Sequence, residues 1–314
     1  MLLVGNYTFK EVIIEVKKLE SPTDQLNLLK IWIEENQKSE NIENVLEYAF
    51  ELLIKSSSTN IPTLTYWNSL SSPLSNITDK GFVNKFVEKL DGLKADIKVL
   101  GATIEFIIYQ LNIFKAEAHY NKESAISRLI EIYTEAKSVD DLTLEIECLA
   151  NIYSATITTE KEIPDLIPGF TNSLRKEIKD KIYLLLEKSA HHFDNLESTI
   201  YVLAKVDTNL TLEICSQLNS EFRRTRAFGE ALSSHLELDI NYIDFTFIKQ
   251  IYKDNKELIN DFIVSRILIK FEKSKDFSLE CLKNIIFYIE QIKDFPSEEA
   301  KCYSWAKSLK ILNN

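Results

Sequence analysis

Apolar positions recur at helical spacing along most of the chain. The densest run covers residues 197–239. There Asp207 can cap a helix that puts Leu210, Ile214, Cys215 and Leu218 on one face. A second helix starts at Glu221 and places Phe228, Ala231, Leu232, His235 and Leu236 at i, i+3, i+4, i+7 and i+8. The same spacing predicts helices over 9–19 (Val12, Val16), 22–36 (Leu26, Leu29, Trp32, Ile33) and 42–55 (Val45, Leu46, Ala49). Ser21-Pro22-Thr23-Asp24 marks the second start with a serine cap, a proline at the first helical position and an acid in the first turn. Phe82, Val83, Phe86, Val87 and Leu90 make another stripe. Residues 96–119 are apolar nearly all round, which predicts a helix running through the middle of the packing.

Further helices are expected over 123–136, 141–153, 174–190, 242–252, 256–271, 277–292 and 297–312, with Ser138 and Asp140 as caps between the first two. Two stretches break the rhythm. Residues 56–81 are rich in Ser, Thr, Asn and Pro but keep Leu64, Tyr66, Trp67, Leu70 and Leu74, which predicts a short packed helix between loops. Residues 158–171 hold Pro164, Pro168 and Gly169 and interrupt the array. The resulting division is a helical segment 1–56, an irregular connection 57–80 and a helical array 81–314, continuous with the first helices as one solenoid.

Short amphipathic helices with almost no loop between them cannot bury their stripes alone, so each needs neighbours built the same way. Comparable helix starts fall near Asp96, Asp141, Asp180, Phe222 and Leu258, at separations of 45, 39, 42 and 36 residues. Helical-hairpin repeats span roughly 34–47 residues. Within 203–232, the residues Leu212-Glu213-Ile214-Cys215, Asn219-Ser220, Arg223, Arg226 and Ala231-Leu232 resemble one unit of a degenerate tetratricopeptide- or HEAT-type α-solenoid. The other units match by apolar spacing, and the tetratricopeptide signature residues do not recur at fixed positions. The resemblance implies antiparallel helical hairpins stacked into a right-handed α-solenoid. It also implies a partner bound on a concave face, commonly within a larger assembly.

Composition agrees with an all-α fold. Only 6 Gly and 6 Pro occur in 314 residues, too few for Gly-looped α/β enzymes or for β-sandwiches with many tight turns. The net charge of −11 repels phosphate backbones and disfavours nucleic acid as a partner. Cys148, Cys215, Cys281 and Cys302 lie far apart, mostly on apolar faces, and read as buried free thiols in a reducing compartment. The first residues lack the features of a secretory signal, and the most apolar stretch, 99–114, is interrupted by Glu105, Gln110 and Asn112. A cytoplasmic protein with no membrane span is expected.

Candidate chemistry is sparse. Dinucleotide, P-loop, zincin and nucleophile-elbow motifs are all missing. His191 and His192 are adjacent, so on a helix they point about 100° apart and read as helix-end residues, not metal ligands. His119 and His235 read as satisfied core or rim residues. The sharper feature is Arg223-Arg224-x-Arg226, three of the six arginines in the chain within four residues. Arginine offers a rigid fork to carboxylate or phosphate, so an anionic ligand or acidic partner segment is one reading. The other is internal, with Glu213, Glu221 and Glu230 near enough to pair with them. From these residues we expect a non-enzymatic scaffold or adaptor that binds another protein or peptide, with no cofactor and no metal. The alternative is a sensor that grips an anionic small molecule or peptide at Arg223, Arg224 and Arg226. Tyr303, Trp305 and Leu309 on the closing helix make self-association through the C-terminal end a further option.

Overall fold

The computed structural model describes residues 8–56, 64–100, 102–188, 196–218, 220–238, 242–254, 267–269, 301, 304, 305 and 308. Among them the chain is all-α, with no strand. It divides into two compact units, residues 1–175 and 176–314. The expected helices 256–271, 277–292 and 297–312 lie almost wholly outside the described residues, as do His191, His192, Cys281, Cys302, Tyr303 and Leu309.

The first unit opens with α1 (Phe9–Lys18), α2 (Pro22–Glu35) and α3 (Ile42–Ser56). The Ser21 hydroxyl accepts the Asp24 N–H at 3.4 Å, as the cap at the α2 start requires. Trp32, Leu29 and Ile33 are each only 1% exposed. Then come α4 (Leu64–Ser71), a 3-10 turn (Ser72–Asn76), α5 (Lys80–Asp91) and the short α6 (Lys94–Lys98). Phe50 holds these layers together, packing edge-on against Trp67 and Phe86 at centroid distances of 6.0 and 5.6 Å.

The central helix is α7 (Thr103–Ala118), which packs on α4, the 3-10 turn, α5, α6, α8 (Lys122–Lys137) and α9 (Leu142–Glu162). It starts later than the pattern predicts. The Glu105 carboxylate takes the Ala102 N–H at 3.4 Å and opens a fresh helix there, which leaves Val99 82% exposed in the turn before it. At α9 the cap is Asp141, whose carboxylate accepts the Leu144 N–H at 2.8 Å, so Asp140 is not the capping residue. Nor does α9 stop at Tyr153. Thr156, Thr158 and Thr159 turn their hydroxyls back onto the carbonyls of Tyr153, Ser154 and Ala155, and the helix runs on to Glu162, just before Pro164.

Gly169, at φ +76, leads into α10 (Phe170–Lys188), within which the division between the units falls. The second unit continues with α11 (Glu197–Leu203), α12 (Thr208–Ser216), α13 (Glu221–His235) and α14 (Phe245–Asp254). Leu210, Ile214, Cys215 and Leu218, and then Phe228, Ala231, Leu232, His235 and Leu236, are all buried, as their spacing predicts. The α14 start moves from 242 to 245 because Asp244 is the cap, accepting the N–H groups of Thr246 and Phe247 at 2.9 and 3.1 Å.

Many side-chain bridges between helices span 29–42 residues of sequence. In the first unit Asn68 donates to the Glu105 carbonyl, Arg128 to Asp91, Lys94 pairs with Glu131 and Lys98 with Glu135, each 37 residues apart. In the second, Tyr201 and Thr208 each reach a carboxylate 36 residues on, at Glu237 and Asp244. One arrangement appears twice there: Lys179 and Tyr183 share Glu213, and Tyr201 and Lys205 share Glu237, with the lysine over the tyrosine ring both times. A helix thus touches helices about one hairpin further on, which is compatible with a helical-repeat fold.

Candidate functional site

The three clustered arginines lie on the first turns of α13. That helix follows α12, which is fixed by Asp207 accepting the Leu210 N–H at 2.8 Å. Ser220 begins α13 without a side-chain cap, so its first turn carries N–H groups that no Ser220 hydroxyl satisfies. The arginines do different things there. Arg224 donates through Nη1 to the Leu218 carbonyl at 2.9 Å and ties the α12–α13 turn to the helix it leads into. Arg226 crosses to α11, its Nε 2.5 Å from Glu197 Oε1, an ion pair without the alignment of a hydrogen bond. Glu197 is not one of the acids expected to compensate the cluster. Glu213, which is, receives Lys179 and the Tyr183 hydroxyl. Arg223 is half-buried. Beside these groups Phe222 is 75% exposed, the most exposed aromatic side chain among the described residues.

The residue types expected in the core behave accordingly. Cys148 and Cys215 are buried free thiols, and burial pushes both up to about 12, so neither is a thiolate at neutral pH. His119 sits at the rim with its Nε2 3.2 Å from Glu162. His235 is a core residue: its Nδ1 bonds the Ala204 carbonyl and its Nε2 accepts the Asp244 N–H, both at 2.7 Å. A backbone N–H can only donate, so the ring is neutral with its proton on Nδ1. Burial, first of all, lowers its pKa, against the opposing pull of the Ala204 carbonyl and Asp244.

The most heavily bonded charged group was not among the sequence candidates. Arg128 on α8 is 7% exposed and uses all five of its N–H donors. Nε and Nη2 grip Glu117 at 2.7 and 2.8 Å. Nη1 and Nη2 grip Asp91 at 3.0 and 2.7 Å, and Nη1 also reaches Gln110 Oε1 at 2.8 Å. Desolvation alone would lower the guanidinium pKa, but Glu117 and Asp91 outweigh it and hold the charge more firmly than usual. A signal was present in the sequence. Gln110 and Glu117 stand seven apart, two turns along one face of a helix expected to be buried on several sides, where polar groups must find a buried partner.

Among the described residues no group of three or more His, Cys, Asp or Glu could hold a metal ion. No described helix is long and apolar enough to cross a membrane. Comparison with protein-family models, with curated proteins and with solved structures gives no match. The helical-repeat resemblance therefore stands on this chain's own periodicity.

Proposed function

We propose that the protein is a non-enzymatic interaction protein, an α-solenoid of tetratricopeptide or HEAT type, that docks another protein at the start of α13. The observation that carries this reading is Phe222, an aromatic ring three-quarters exposed beside three arginines. Aromatic and arginine side chains together are the residues most enriched at interface hot spots. The solenoid is supported by the recurring bridges about 37 residues apart, close to one helical hairpin. Buried reduced thiols at Cys148 and Cys215 suit a cytoplasmic setting. A sensor of small anions at the arginines ranks second, because Arg224 and Arg226 already serve α12 and α11.

The test is affinity capture from native extract with the wild type and Phe222→Ala, followed by rebinding of the captured protein in purified form. A partner that rebinds the wild type and loses roughly tenfold or more in affinity with Phe222→Ala supports the reading. A partner that binds both equally removes the α13 start from the interface.

A further inference from the structure

We propose that the cleft between the 3-10 turn and the end of α7 is a binding site for a small organic acid. The space measures about 280 Å³, near the lower limit of about 300 Å³ for ligand pockets. Its floor is apolar: Leu74, Ile77, Val83 and Ala116. Its polar lining is rich in donors, with the Lys80 ammonium, the His119 ring and the hydroxyls of Ser75, Thr78 and Tyr120.

Several of these groups are uncommitted. Lys80 makes no ion pair, and the Ser75, Thr78 and Tyr120 hydroxyls make no hydrogen bond, among the described residues. Asn76, by contrast, directs its amide to Gln37 at 3.4 Å.

The charge of the lining runs against that of the chain. The protein carries −11, yet among the described residues no carboxylate lines the cleft. Acids stand close to two of the lining groups: Glu162 pairs with His119, and Glu117, Asp91 and Glu88 act on Tyr120. Arg128 pairs with both Glu117 and Asp91 and offsets one of their two charges. A donor-rich, carboxylate-free wall over an apolar floor fits an anionic head on a short hydrocarbon tail. The head is a carboxylate or a phosphate, met by the ammonium of Lys80 and the hydroxyl of Tyr120. The tail rests mainly on half-buried Ile77, since Leu74, Val83 and Ala116 are only 1–2% exposed. This site is independent of Phe222 and of the partner proposed there.

Isothermal titration of the full chain tests it, with butanoate and butyl phosphate as the two acids. n-Butylammonium and n-butanol serve as controls for charge and for tail. One-to-one saturable binding of at least one acid is expected, with neither control binding in that range. The acid that binds tells carboxylate from phosphate. Lys80 is exposed, so Lys80→Ala should fold as the wild type does and weaken binding roughly tenfold. Tyr120→Phe should weaken it about threefold, at the low end of one neutral hydrogen bond. No saturable binding of either acid up to about 10 mM, tenfold above a millimolar Kd, overturns the proposal. So does equal binding of the ammonium control, or an affinity unchanged by Lys80→Ala.

Discussion

Removing the guanidinium of Arg128 should be among the most damaging single changes in the first unit. Its side chain is 8% exposed and that of Glu117 only 4%, whereas Asp91 is 38% exposed and can turn to water. Arg128→Ala therefore strands one deeply buried carboxylate, with the Ser124 hydroxyl at 2.9 Å as its remaining side-chain donor. Breaking a buried pair from one side costs about 3–5 kcal/mol. Arg128→Lys should cost about 2 kcal/mol, because one ammonium cannot serve two bidentate acids and Gln110 together. Removing both charges is different. Arg128→Met with Glu117→Met leaves no buried charge unpaired, so the double variant should recover about 2–3 kcal/mol relative to the sum of the single changes. Urea unfolding measures this without adding ionic strength. Trp32 and Trp67 both report on the first unit, so a Trp305→Phe background leaves the fluorescence signal to that unit. A loss below about 1 kcal/mol for Arg128→Ala, with no coupling to Glu117, would refute the view that this network is desolvated.

Two further predictions concern single residues. His235 is held neutral, with a pKa below its ordinary value, so the unfolded chain binds the proton more readily. Its contribution is complete above the unfolded pKa of about 6.5 and is lost as pH falls through the lowered native value; urea midpoints between pH 8 and pH 5 should fall less for His235→Gln than for the wild type, and equal slopes would count against the assignment. Gly169 has φ +76 with open space where a Cβ would stand, while Asp165 holds φ +60 with a side chain. Gly169→Ala should lower stability by about 1 kcal/mol through backbone strain alone and Asp165→Gly should raise it slightly, so thermal midpoints that move in the opposite senses would remove strain as the cause.

Helices with local signals were legible in the sequence. The α2 start could be read because Ser21, Pro22 and Asp24 all act within one turn, and α13 because Phe228, Ala231, Leu232 and Leu236 keep one face with His235. The errors came where local and tertiary preferences differ. Val99 and Leu100 extend an apolar pattern that the chain breaks between α6 and α7, since Glu105 can start a helix at Ala102. The threonines after Tyr153 look like loop but bond back to their own helix. Arg128 was missed for a deeper reason. Its partners come from α5 and α7, and nothing in the sequence spacing alone says that Asp91, Gln110 and Glu117 converge on one guanidinium. The arginines of α13 were visible because they cluster, yet two of them turn out to stabilise neighbouring elements.

The same contrast bears on where function can reside. Bridges one hairpin apart use up the charged and polar groups that a helical array would otherwise offer to partners: Lys94 and Lys98 go to α8, and Lys179 and Lys205 to Glu213 and Glu237. What remains for recognition must be side chains that the bridges do not engage. Phe222 is one, since an exposed ring on a first helical turn adds little to the fold and is costly to leave in water. Lys80 and Tyr120 at the cleft are others, free of the pairing that occupies Arg128 a short way behind them. A substitution at Arg128 should therefore act through stability, whereas substitutions at Phe222 and Lys80 should change binding while leaving the urea midpoint nearly unmoved.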